Sequence, residues 1–75
     1  MAASFRVWTD PEAIADVLFW AHVEGWRVRV ELKAGAVFPG AYVRELRGGG
    51  AIVHLGTKTE THAVVHVRNI VRVSR

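Results

Sequence analysis

The sequence predicts a small, mainly β protein in which an N-terminal α-helix precedes a five-stranded, strongly bent antiparallel barrel. A capped helical pattern occupies about residues 10–24, and five short apolar segments with short connections follow over about residues 26–74. So many short strands in so few residues favour a small barrel over a sandwich. At 75 residues, the chain is expected to be a single domain, residues 1–75.

The helix is predicted from its two ends and one apolar stripe. Thr9 and Glu12 have the spacing of a capping box, and Asp10-Pro11 is an overlapping start signal with proline at the first helical position. Gly25 is the expected C-terminal stop. The stripe expected to be buried recurs at three- and four-residue spacing and comprises Ile14, Val17, Leu18 and Ala21.

The first three strands are predicted from alternation and from their turns. Residues 26–33 alternate between apolar and charged, and Ala34-Gly35 turns the chain into a longer second strand over about residues 36–46. Pro39 and Gly40 predict a bend or bulge in that strand. Glycines 48–50 form a loop before a third strand over residues 51–55, and a polar connector follows. The expected core positions of this chain are Val28, Val30, Leu32, Ile52 or Val53, Val65 and Ile70.

The segment 63–73 is predicted to close the chain as a hairpin of two apolar strands. Six of its eleven residues are Val or Ile, which fit a pleated surface well. Arg68 and Asn69 are its only consecutive polar residues, and Asn tolerates the backbone conformation of a tight turn. We therefore expect the turn at Arg68-Asn69.

The charge is distributed unevenly. The net charge is +3, but residues 32–75 alone hold seven bases against two acids. This bias favours a polyanionic partner, although a run of charge is also an ordinary solvated face. Eight of the ten bases are Arg, which suits recognition of phosphates and bases.

Over roughly residues 10–74 the chain resembles the Sm-like family, which includes bacterial RNA chaperones of the Hfq type. The resemblance lies in the helix, the segment 28–32, a turn ending in Gly35, a bent strand carrying Gly40, and the segment Val65-His66-Val67-Arg68-Asn69-Ile70. It implies an SH3-like barrel and RNA binding by a homo-oligomeric ring of five to eight subunits. The role that it implies for such a ring is RNA regulation or chaperoning. The segment 45–50 lacks the Asp and Asn with which the family helps to bind a uridine base.

Four residues are candidates for RNA contact. The resemblance places Arg68 and Asn69 at the central pore, where a guanidinium can stack on a base. Arg47, beside the glycine loop, can bring a cation and backbone amides to a phosphate, and Tyr42 can stack on a base. The competing interpretation is a plain turn, a flexible loop and a core aromatic residue.

The ring is predicted from the unpaired edges that a five-stranded barrel leaves. Pairing the fourth strand of one subunit with the fifth of the next joins two different surfaces, and such contacts close into a ring or run on as a filament. The resemblance implies closure. The valines expected at this contact are Val65, Val67, Val71 and Val73.

Other functional classes have weaker support. The alternative to RNA binding is an SH3-like protein-interaction or assembly module, and a third possibility is a DNA-binding accessory protein. The chain has no Cys, and His54, His62 and His66 lack carboxylates at ligand spacing, so no metal or cofactor is expected. No nucleophile with a base is apparent, so no enzyme is expected. Without an export signal or a membrane-spanning run, the expected compartment is the cytoplasm.

Overall fold

The computed structural model describes residues 6–75 as one α-helix and six strands. Residues 1–5, where the sequence shows no export signal, lie outside this range. The elements in chain order are β1 (Val7–Trp8), α1 (Pro11–Glu24), β2 (Arg27–Leu32), β3 (Val37–Arg47), β4 (Ile52–Gly56), β5 (Thr61–His66), a 3-10 helix (Val67–Asn69) and β6 (Ile70–Ser74). A mainly β fold with a helix near the N-terminus is therefore confirmed.

The helix begins and ends where its local signals predict. The carboxylate of Asp10 accepts hydrogen bonds from the backbone N–H groups of Glu12 and Ala13 at 3.1 and 3.2 Å. Gly25 ends the helix in the left-handed conformation, with φ of 71°. All four residues of the predicted stripe are buried. No helix within residues 6–75 combines the length and the apolar character needed to cross a membrane.

The six strands form one antiparallel sheet in the order β1-β6-β2-β3-β4-β5. All five predicted strands are present, but β1 is an additional strand that the sequence did not reveal, because two residues cannot show an alternating pattern. The edge strands β1 and β5 do not pair with each other. The described strands are therefore not closed into a barrel by backbone hydrogen bonds.

The prediction that the last two strands form a hairpin is wrong. β5 pairs with β4, whereas β6 pairs with β2 and β1. The 3-10 helix between them carries the chain from one edge of the sheet almost to the other. Two short apolar strands around a polar pair look the same in sequence whether they turn back on each other or cross over, so local pattern could not separate these outcomes.

Bulges bend the sheet, and one lies where proline and glycine predicted it. β2 and β3 pair at Val28–Ala41 and again at Val30–Phe38, so β3 has one extra residue around Pro39-Gly40. A second bulge lies in β6, which pairs with β2 at Glu31–Arg72 and Leu32–Ile70. Its extra residue, Val71, is turned out of the core.

The core lies between the helix and the concave face of the sheet. The buried apolar residues are Ile14, Val17, Leu18, Ala21, Val28, Val30, Ala41, Val43, Val53, Leu55, Ile70 and Val73. Of the predicted core positions, Leu32, Ile52 and Val65 are only partly buried. The helix is also tied to the sheet by a polar contact, in which His22 Nδ1–H donates to the Val43 carbonyl oxygen at 3.0 Å.

The close approach of β4 to the following connector generates a prediction about Gly56. A Cβ at Gly56 would lie 2.0 Å from the backbone oxygen of Glu60, which cannot move without breaking its hydrogen bond from the Thr57 N–H. Gly56→Ala should therefore lower the free energy of unfolding by about 3 kcal/mol, measured by urea denaturation. Gly40→Ala is the matched control, because its Cβ would meet only the flexible guanidinium of Arg27.

The control should change stability by less than about 1 kcal/mol. Equal losses in the two variants would show that the tight crossing at Gly56 does not exist.

Candidate nucleic-acid interface

Three loops meet at one end of the sheet, around the 3-10 helix. The Val67 N–H donates to the carbonyl of Ala51, at the end of the glycine loop, at 2.8 Å. The Lys33 N–H, in the turn after β2, donates to the carbonyl of Asn69 at 2.8 Å. We call this region, formed by Lys33, Ala51 and Val67–Asn69, the turn-end surface. It joins residues that are far apart in sequence.

The backbone at the turn is fixed by a histidine. His66 Nδ1 accepts a hydrogen bond from the Arg68 N–H at 3.2 Å and so caps the 3-10 helix. This contact requires the tautomer with an unprotonated Nδ1. The side chains of Arg68 and Asn69 are left exposed, while their backbone is held on both sides. A guanidinium on a fixed backbone loses less entropy when it binds a ligand.

The turn-end surface is basic and borders an apolar hollow. Within residues 6–75, neither Lys33 nor Arg68 has a carboxylate oxygen within 4.0 Å. A hollow of about 270 Å³ lies beside them, and its lining is otherwise largely apolar, with Val67, Ile70 and Val71. Two unpaired cations over an apolar floor can hold a phosphate and a base together.

Arg47 lies beside the glycine loop but is already engaged. Its Nε–H donates to a carboxylate oxygen of Glu45. This hydrogen bond from Arg47 lowers the pKa of the Glu45 carboxyl below its ordinary value, and it raises the pKa of the Arg47 guanidinium. Glu45 therefore already occupies a donor that Arg47 could offer to a phosphate.

Tyr42 is not part of the turn-end surface. It pairs with Arg27 on one side and with Gly56 on the other, and Gly56 lies four residues along β4 from Ile52. That distance is roughly 13 Å. The Lys58 ammonium lies 5.5 Å from the centroid of the Tyr42 ring. The structure therefore brings together Arg68 and Asn69 with Lys33, and it separates Tyr42 from them.

The four valines expected at a subunit contact have different surroundings. Val73 is fully buried in the chain's own core and offers no side chain to a neighbour, so this part of the expectation is corrected. Val65 and Val67 are partly buried against that core. Val71 is 46% exposed because it is the extra residue of the β6 bulge.

The two edges of the sheet differ. In the part of the chain that is described, β5 pairs only with β4, so its outer edge is open. The outer edge of β6 is covered by β1, which pairs at Val7–Ser74 and Trp8–Val73. Sequence reasoning missed Val64, a β5 residue that is 57% exposed. Val64 lies within the apolar run 63–65, so the sequence did not distinguish it from a core residue.

The histidines of β4 and β5 do not form a ligand set. His54 Nε2 lies 3.9 Å from a Glu45 oxygen, and His62 Nε2 lies 3.6 Å from a Glu60 oxygen. His66 caps the 3-10 helix. Residues 6–75 contain no group of three or more His, Asp or Glu side chains arranged to hold a metal ion.

No known family matches the chain, and no curated protein or solved structure is significantly similar to it. What the turn-end surface binds must therefore be inferred from its own geometry and charge.

The Arg47–Glu45 pair generates a prediction about titration. Arg47→Ala removes the hydrogen bond that holds the carboxylate ionised, so the pKa of Glu45 should rise. The pKa is measured by NMR titration of the Glu45 carboxyl carbon. Arg68→Ala is the matched control, with the same loss of charge and no contact to Glu45. An unchanged Glu45 pKa in the Arg47 variant would show that the pair does not form.

Proposed function

We propose that this chain is an Sm-like protein with an SH3-like subunit fold that binds single-stranded RNA as a homo-oligomeric ring in the cytoplasm. The observation that carries the proposal is the turn-end surface, where Arg68 and Asn69 meet Lys33 with no carboxylate within 4.0 Å of either cation among residues 6–75. The order of the helix and the five longer strands supports the fold, since the resemblance implies the same order.

The chemistry of the surface suits an unpaired nucleotide. Arg68 can stack its planar guanidinium on a base, or donate two parallel hydrogen bonds to a phosphate. The Asn69 amide can both donate to and accept from a base edge. Lys33 adds a second cation beside the apolar hollow. Unpaired bases expose the faces and edges that such groups recognise.

Ring assembly uses the open edges of the sheet. The outer edge of β5 is open in the described chain, and β1 pairs with β6 only at Val73 and Ser74. A neighbour's β5 can therefore pair along the first part of β6, where Val71 is exposed, or displace β1 and pair along the whole strand. Both contacts join unlike edges, and contacts of this kind form a ring when the rotation between subunits closes.

One observation favours the alternative, a protein-interaction module. Phe19, Trp20 and Val23 are about half exposed on the helix, and the Phe19 and Trp20 rings pack edge to face with centroids 5.5 Å apart. Exposed aromatic residues of this kind are typical of protein contacts. We call these three residues the exposed helix patch.

The first prediction of the RNA proposal compares two arginines. Arg68→Ala should weaken binding of oligo(U) by about 1–3 kcal/mol, because it removes a stacking cation. It should also reduce the dependence of log K on log[salt] by about 0.7, the value for one cation on a single strand. Both quantities are measured by fluorescence anisotropy at several salt concentrations.

Arg47→Ala is the control, with the same change in charge at a guanidinium that already contacts Glu45. It should weaken binding by less than about 0.5 kcal/mol. Equal effects of the two variants would remove Arg68 from the site. Absence of wild-type binding at low salt would leave the interaction module, and a preference for duplex DNA would indicate the accessory-protein class.

The second prediction concerns the ring. The wild type should have a mass well above that of a dimer at tens of micromolar, measured by sedimentation. Val71→Glu should reduce it to smaller species, because it replaces an apolar side chain of the contact with a charged one. Since Val71 is exposed, the subunit fold should survive.

Val23→Glu is the matched control, with the same substitution at a similarly exposed valine of the exposed helix patch. It should leave the mass unchanged. Dissociation by Val23→Glu and not by Val71→Glu would place the contact on the helix and overturn the ring.

A further inference from the structure

A second basic region lies at the other end of β2 and β6, away from the 3-10 helix. Arg27 pairs across the sheet with Tyr42, and Arg75 follows Ser74 at the end of β6. Ile70 and Ser74 are four residues apart along β6, so roughly 13 Å of strand separates the two ends. We call the region formed by Trp26, Arg27, Tyr42, Lys58 and Arg75 the arginine surface.

Two of its cations are held by aromatic rings. The Arg75 guanidinium carbon lies 3.8 Å from the centroid of the Trp26 ring. The Arg75 backbone is fixed as well, since its N–H and carbonyl exchange 2.9 Å hydrogen bonds with Arg6. The Lys58 ammonium lies farther from its ring, 5.5 Å from the centroid of Tyr42. A guanidinium stacked on an indole keeps its N–H donors free at the edge of the stack.

The third cation, Arg27, occupies space that is left free because residue 40 is glycine. Its guanidinium lies against Gly40, where an added Cβ would be 2.5 Å from Nη2. Gly40 belongs to the β3 bulge, so the bend in the sheet also makes room for this cation. Arg27 lines two hollows of about 350 and 400 Å³, and no Asp or Glu side chain lines either of them.

The charges of this surface are unopposed, in contrast to those of the sheet centre. Arg27, Lys58 and Arg75 have no carboxylate oxygen within 4.0 Å in the described part of the chain. Arg29 and Arg72, between the two basic ends, share Glu31 at 3.8 and 3.4 Å. Arg27 and Arg75, in contrast, both line one hollow and have no such partner there.

We propose that the arginine surface binds phosphate groups of a single-stranded nucleic acid, with Arg27 and Arg75 as the direct donors. The Trp26 ring positions Arg75, whose guanidinium already covers one face of the indole. The identity of the phosphate as nucleic acid rests on the proposed function, whereas phosphate binding itself does not. One strand can then contact both ends of a subunit.

The test uses the indole N–H resonance of Trp26, assigned by its loss in Trp26→Phe. We expect this resonance to shift on titration with inorganic pyrophosphate and with a 12-nucleotide oligo(U), and not with polyglutamate at equal charge. Arg75→Gln should lose the shift. An equal response to polyglutamate would overturn phosphate recognition.

Affinity for the same oligo(U) separates this surface from the turn-end surface. Arg27→Gln and Arg75→Gln should each weaken binding about three- to tenfold and reduce the salt dependence by about 0.7. Gly40→Ala keeps every charge but displaces the Arg27 guanidinium, and should weaken binding in the same direction. Arg72→Gln, on the same face but paired with Glu31, is the control and should change affinity less than twofold.

The outcomes distinguish the two proposals. If oligo(U) binds and the Arg27 and Arg75 variants behave like Arg72→Gln, the arginine surface is refuted and the RNA proposal stands. If pyrophosphate shifts Trp26 but oligo(U) does not bind, the phosphate site stands and the RNA proposal fails. If neither ligand causes a response, both fail.

Discussion

β3 pairs with β2 along its first half and with β4 along its second half, and the shape of the molecule depends on this divided strand. A flat strand cannot serve both partners and still present one face to a single helix. The bulge at Pro39-Gly40 and the register shift before Glu45 supply the bend, since extra residues increase twist and curvature locally. Fourteen helical residues then suffice to cover the concave face.

The bend also decides where the charges lie. By curling the sheet, it places the 3-10 helix beside both the turn after β2 and the glycine loop, which concentrates Lys33 and Arg68 at one end. At the other end, the bulge itself accommodates Arg27 against Gly40. Between the two ends, Arg29 and Arg72 share the carboxylate of Glu31, so the centre carries less unpaired positive charge than the ends. Fold and charge pattern therefore have a common cause.

The two edges of the sheet differ in how many backbone groups they leave free to pair with another subunit. β5 exposes backbone groups along its outer side in the described chain, whereas β1 protects the end of β6. Natural sheets often protect an edge with a short strand, which limits uncontrolled pairing. In a ring of these subunits, β1 and the neighbouring β5 would compete for the same backbone groups at Val73 and Ser74. Because β1 has only two residues, few backbone hydrogen bonds would have to break for β5 to replace it.

The sequence by itself determined the features that depend on neighbouring residues. The caps at Asp10 and Gly25, the buried stripe of the helix and the bend at Pro39-Gly40 follow from local chemistry and appear where predicted. Only the tertiary structure decided which strands pair. β5 pairs back with β4, whereas β6 pairs with the distant β2, and the local sequence pattern does not distinguish these outcomes. The same limit applies to the sites. Arg68 was visible as a polar residue in an apolar run, but its meeting with Lys33, the capture of Arg47 by Glu45 and the stacking of Arg75 on Trp26 arise from contacts that exist only after the chain has folded.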